Sequence, residues 1–209
     1  MNAMGTVQDG GLARGAVWHN HVLAVTLLIV TEVMLFSGLV AGYLVLRVQA
    51  VEWPPPGQPR LPLEVTGINT LVLFASGYFL WQVQTLLRAG ELVKLRRRMV
   101  IALALGSVFL VIQGVEWVFL IGHGLTTSSS VYGSTFYTIV GCHALHVMVG
   151  LVAVGVVARR VIAATSQVET NHSEADFVAR QSGPILGARL FWLFVVGVWP
   201  PLYLVVYLW

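Results

Sequence analysis

A chain of 209 residues that is 57% hydrophobic and only 10% charged does not suit a soluble domain, where about 25% of residues carry charge. Its 12 basic and 9 acidic residues, net charge +3, are too few to wet one soluble surface and gather in a few loops. A pI near 9.4 would suggest nucleic acid for a soluble protein. Here the basic residues flank apolar spans, where topology and anionic lipid account for them, and no nucleic acid is expected.

The first twenty residues include Asp9 and Arg14 and lack the basic-then-apolar pattern of a cleaved leader. The apolar segment that follows is therefore read as a retained span. Five stretches, roughly 21–47, 65–88, 99–122, 130–158 and 185–208, reach the ~20 apolar residues a bilayer-crossing helix needs. None shows the alternation of a membrane barrel. The chain is expected to be an all-α integral membrane protein, a single five-helix domain over residues 1–209.

Between the first two spans, "EWPPPGQPRLP" (52–62) is a stiff proline-rich connector that cannot extend a helix. It should form a rigid cap with Trp53 near the headgroups. The second span is the most polar, with Asn69, Gln82 and Gln84, and must turn a face toward protein. Loop 165–183 is polar and reads as a flexible connector or a docking surface. The last span carries Pro200 and Pro201, which should kink it, and ends in Tyr203, Tyr207 and Trp209, an expected aromatic anchor.

With five spans the amino terminus, loop 88–98 and loop 159–184 share one side. That side holds Arg14, Arg88, Lys94, Arg96, Arg97, Arg98, Arg159, Arg160 and Arg180, against Arg47 and Arg60 opposite. The positive-inside rule makes the amino terminus cytoplasmic and the carboxyl terminus external. Arg97, Arg180 and Arg189 are candidate contacts for anionic lipid headgroups. The single cysteine, Cys142, forms no internal disulfide and says nothing of redox compartment.

Ionisable groups at membrane depth need a partner or a task. Four stand out: Glu32, Glu116, His143 and His146. Glu32 and His143 fall at similar depth on antiparallel spans, counting about 1.5 Å per residue. Glu32 reads as a proton-relay element, as a contact to another subunit, or as a neutral carboxyl bonded across helices. His143 and His146 could ligate metal or haem, but one helix offers too few ligands for either site. Nearby Gly141, Ala144 and Gly150 suit close helix packing, so interhelical hydrogen bonding is favoured and no metal is expected. Gln113, Glu116 and Trp117 read as an outer-face ligand site or as a helix end dipping into headgroups.

The motifs "VYGSTFYTIVGCHALHVMVG" (131–150), "TEVMLFSGLVAGYLVLR" (31–47), "FLVIQGVEW" (109–117) and "WPPPG" (53–57) occur in that order. Together they closely resemble the signatures of cytochrome c oxidase subunit III, in its shorter, five-helix bacterial form. The resemblance runs from about residue 18 to 209. It implies an accessory subunit of a proton-pumping haem–copper oxidase in the bacterial cytoplasmic membrane, with no catalytic site or cofactor of its own. Haem and copper would lie in partner subunits. The chain would pack on subunit I, near subunit II, hold phospholipids in a helix cleft, support proton uptake and protect the catalytic subunit from turnover-linked inactivation. The family's intramembrane glutamate falls on Glu32, its second glutamate on Glu116 and its histidine pair on His143 and His146. Thr31 replaces the usual serine, Ala144 the glycine between the histidines, and in "FWLFVVGVW" (191–199) Leu193 and Val196 replace a histidine and an aspartate. These changes leave room for another respiratory complex, such as a nitric oxide reductase or a quinol oxidase. A self-sufficient redox enzyme and a transporter are the readings from other classes.

Overall fold

The computed structural model describes the backbone of residues 6–168 and 174–208 and the side chains of 22–163 and 181–208. Five helices fill it: α1 (Thr6–Gln49), α2 (Leu63–Arg88), α3 (Leu92–Gly122), α4 (Val131–Val168) and α5 (Glu174–Tyr203), the last passing into a π turn at Leu204–Leu208. All five are long and apolar enough to cross a membrane, and no strand occurs among the described residues. The chain is a multi-pass membrane protein.

The helices outrun the apolar stretches from which they are read. α3 begins at Leu92, so Lys94 and Arg96–Arg98 lie in its first turns instead of in a loop. α4 continues to Val168 and α5 starts at Glu174, which removes most of the connector expected at 165–183. Hydropathy registers only the segment that meets hydrocarbon, whereas helical hydrogen bonding continues into water until a residue stops it. After α2 and α3 that residue is glycine. Gly90 and Gly124 take φ of 71° and 87°. Glu91 N–H then bonds Leu86 O and Leu125 N–H bonds Leu120 O, both at 3.0 Å, closing each helix with a Schellman motif. Leu120 and Leu125, brought together by that turn, are fully buried.

α2, α3, α4 and α5 pack in a ring, each against the next and α5 back onto α2, while α1 lies outside against α5 and α4. Trp192 of α5 fills the middle of the ring. A Cβ on Gly106 of α3 would come within 2.6 Å of its ring, and one on Gly150 of α4 within 2.7 Å. The indole N–H donates to Ser76 Oγ of α2 at 3.1 Å, and Ser76 in turn donates to Ala102 O of α3 at 2.8 Å. One side chain thus joins all four ring helices. Two turns further along, Trp199 donates to Thr70 Oγ1 at 2.8 Å. Asn69 donates to Phe109 O at 3.0 Å. The polar residues of α2 are therefore its interior face, as expected for a span that must meet protein.

Pro200 and Pro201 lie inside α5. Their missing N–H groups leave the carbonyls of Val196 and Gly197 without helical donors, and the backbone widens into the π turn directly afterwards. That widening turns Tyr207 inward, to 7% exposure, so it is a core residue and not an interfacial anchor. Tyr203 donates to Leu63 O at 3.0 Å, and Trp209 lies outside the described residues. The proline-rich connector is pinned to the bundle through Trp53, whose indole donates to Tyr43 OH at 3.1 Å and whose ring meets Tyr43 and Tyr132 edge-on.

Candidate functional site

α1 presents Glu32 and α4 presents His146 across their shared seam, with Nε2 and Oε2 2.9 Å apart. The side chains are 19% and 12% exposed. The other imidazole nitrogen, Nδ1, lies 2.7 Å from the carbonyl oxygen of Cys142, one turn earlier. That oxygen can only accept, so Nδ1 carries hydrogen. The bond to Glu32 then requires one further proton, held either as a carboxylic acid against neutral imidazole or as imidazolium against carboxylate. In both forms the pair has zero net charge. That is the form in which two ionisable groups sit most cheaply at membrane depth.

Around the pair the walls are apolar. A groove of about 690 Å³ runs from it between α1 and α4, floored by α5, and is lined by Val25 and Leu28, by Leu145, Val149 and Val156, and by Pro184, Ala188 and Phe191. Glu32 and His146 supply its polar edge. Phe36 backs the imidazole at 5.1 Å, edge to face. The arrangement can hold and pass one proton, and it can accept an acyl chain along its length.

His143 behaves differently. It is 1% exposed and stacks on Trp199, with centroids 4.8 Å apart and planes at 29°. Phe36 and Phe109 meet it edge-on, each at 6.3 Å. Neither of its nitrogens has a hydrogen-bond partner among the described residues. Three residues along a helix advance a side chain by ~300°, leaving the two rings ~60° apart. One faces the ring core and the other faces α1. Of the two imidazoles, His146 alone makes the expected interhelical bond.

Glu116 also lies inside, at 5% exposure. Its oxygens sit 3.0 and 3.1 Å from Thr66 Oγ1 of α2, and Gln113 Nε2 donates to Oε2 at 2.9 Å. Gln113 is 3.4 Å from Tyr207 OH. This buried node links α2, α3 and the π turn and offers no face to headgroups, which replaces both sequence readings of Gln113 and Glu116. The reason is local: Thr66 brings a hydroxyl to the depth of the carboxyl, which can therefore be satisfied within the chain. Among the described residues no three His, Cys, Asp or Glu side chains converge to hold a metal ion.

Of the basic candidates, Arg97 is exposed on α3 and the side chain of Arg180 lies outside the described residues. Arg189 is partly buried, with Nη1 2.7 Å from Gln84 Oε1. Sequence reasoning missed Thr66 as a partner of Glu116. Thr66, Asn69 and Thr70 at spacings of three and four carry the signal, a polar stripe along one helix face. The departure at Val196 is a packing feature, since a Cβ on Gly77 of α2 would lie 3.0 Å from Val196 Cγ1. An apolar branch on α5 fills the space a glycine leaves on α2.

Comparison with known proteins matches residues 6–209 to the family described as Cytochrome c oxidase subunit III. The chain is similar to cytochrome c oxidase subunit 3 of Thermostichus vulcanus, 31% identical over 211 residues, which cover 98% of this chain and 97% of that one. It is similar to the subunit 3 of Synechocystis sp., 32% identical over 194 residues, covering 91% and 78%. It is also similar to a probable subunit 3 of Mycobacterium leprae, 36% identical over 179 residues, covering 85% and 82%. With its five spans and a family match over nearly its whole length, the chain belongs to the cytochrome c oxidase subunit III family of the haem–copper oxidases.

Proposed function

We propose that this chain is the non-catalytic subunit III of a haem–copper terminal oxidase in a bacterial cytoplasmic membrane, with its amino terminus in the cytoplasm. In this reading it packs against subunit I, with subunit II nearby, and haem and copper belong to those partners. Phospholipid chains occupy the groove between α1 and α4, and the Glu32–His146 pair supports proton uptake. The observation that supports the reading is the pair itself. A carboxyl and an imidazole 2.9 Å apart share one proton at the edge of an apolar groove, and moving that proton between them changes no net charge. Such a pair can exchange a proton with neighbours without first carrying an ion into hydrocarbon.

The test begins with a complex purified through a tag on this chain. A haem–copper subunit I should co-migrate; its absence overturns the proposal. A catalytic subunit of quinol-oxidising or nitric-oxide-reducing type would establish the alternative assembly. Glu32→Gln then isolates the proton. The carboxamide N–H donates to His146 Nε2 and keeps the helix contact, but the acid is gone. The assembled variant should take up protons more slowly and inactivate after fewer turnovers. Unchanged turnover lifetime and proton stoichiometry would remove Glu32 from the mechanism.

A further inference from the structure

The seam between α2 and α5 lies apart from the groove and ends in a small recess of about 90 Å³. It is lined by Gln84, Leu87 and Arg88 of α2 and by Ser182, Ile185 and Arg189 of α5. Two guanidiniums therefore face one recess. Arg189 is clamped there by neutral acceptors, Nε donating to Trp81 O at 3.2 Å and Nη1 to Gln84 Oε1 at 2.7 Å. Arg88 is exposed and makes no hydrogen bond or ion pair with the described residues. Glu91, beyond the end of α2, is paired with Lys94 at 2.6 Å. Among the described residues no carboxylate lines the recess.

A helix-end arginine complements the negative end of the helix dipole, and that accounts for Arg88, in the last turn of α2. It does not account for Arg189, which lies well inside α5 and within the span Gln181–Leu208. A cation inside a membrane span calls for an anion or a task. The α2 surface leading away from Arg88 carries Trp81, Tyr78 and Phe74, exposed by 60%, 54% and 40%. Their spacing of three and four residues puts them on the face that ends in Arg88. Charge at the mouth of the recess and an aromatic strip beneath it match a phosphate ester with an acyl tail.

We infer that this recess binds the phosphate of an anionic phospholipid, with Arg88 and Arg189 on its oxygens and one acyl chain along Trp81, Tyr78 and Phe74. Guanidinium forks suit phosphate oxygens, and pockets of this kind between membrane helices take anionic headgroups. The inference rests on the membrane fold alone and stands or falls separately from the oxidase reading.

The full-length chain in detergent, stripped of lipid and titrated with phosphatidylglycerol, phosphatidylcholine or inorganic phosphate, gives the test by native mass spectrometry. Phosphatidylglycerol should bind in preference to phosphatidylcholine, and Arg88→Gln should weaken its tightest site by about fivefold. Arg88 is exposed and makes no hydrogen bond or ion pair with the described residues, so that variant should keep its fold. Adding Arg189→Gln should cost less than it does alone, because both arginines hold one phosphate. Arg160→Gln, on α4 and outside the recess, should leave that site unchanged. Equal binding of the two lipids, no effect of Arg88→Gln, or losses that simply add would overturn the site. Uptake of inorganic phosphate as tight as that of phosphatidylglycerol would overturn the lipid as its source.

Discussion

Residue by residue, the two histidines of α4 are not a pair. His146 holds Glu32 at 2.9 Å, whereas His143 is stacked on Trp199 with both nitrogens unpartnered among the described residues. Their substitutions should therefore diverge. His146→Leu leaves the carboxyl of Glu32 without its partner, a loss of about 1–3 kcal/mol where polar groups are largely buried. His143→Leu removes a ring stack but also an unsatisfied polar group, and should change stability by less than about 1 kcal/mol. Thermal unfolding of the purified chain, followed by tryptophan fluorescence, separates the two. A larger loss at His143 than at His146 would contradict this account. Depth was legible in the sequence, because counting residues along antiparallel spans brings Glu32 level with α4. Rotation was not, because a three-residue step hides a ~60° offset that matters only once neighbouring helices are in place.

At the level of elements, the ring is held by a tryptophan that enters where glycines make room. Gly106→Ala would set a methyl 2.6 Å from the Trp192 ring. An indole held at its N–H by Ser76 has little freedom to yield, so the change should cost about 1–3 kcal/mol. Gly155→Ala, whose nearest neighbour would be Leu103 Cδ2 at 4.0 Å, should be tolerated, and the two melting temperatures compare directly. Thr66→Val should likewise cost about 1–3 kcal/mol by taking the hydroxyl from Glu116. Helix existence follows from the apolar stretches; the glycine stops at 90 and 124 emerge only with the backbone. Helix length does not follow from those stretches, since α3, α4 and α5 extend past their apolar cores into polar sequence that carries no stop. The inward turn of Tyr207 was hidden too, because it depends on how the backbone accommodates two consecutive prolines.

At the scale of the whole molecule, the most apolar span is the least buried. The first span has a mean hydropathy of 2.3 and is 6% buried, while the second, at 1.3, is 39% buried. Lipid is as apolar as leucine, so polarity, not greasiness, marks the interior of a membrane bundle. The polar second span was readable as an inner helix for this reason. That α1 stands outside the ring was not readable, since Glu32 on its own suggests an interior helix. Orientation has its own test in a Cys142→Ser background. A cysteine at Lys94 should react with a membrane-impermeant maleimide only from the cytoplasmic side, and one at Arg60 only from outside. The reverse pattern would invert the topology.

The place of α1 outside the ring also has a consequence for synthesis. Of the five helices α1 is made before the others, yet it packs on the fourth and fifth. Glu32 and His146 are separated by 114 positions, so at ~5–20 residues per second roughly 6–23 s pass before the carboxyl can meet its imidazole. During that interval the carboxyl of Glu32 lacks the imidazole that holds it in the folded chain.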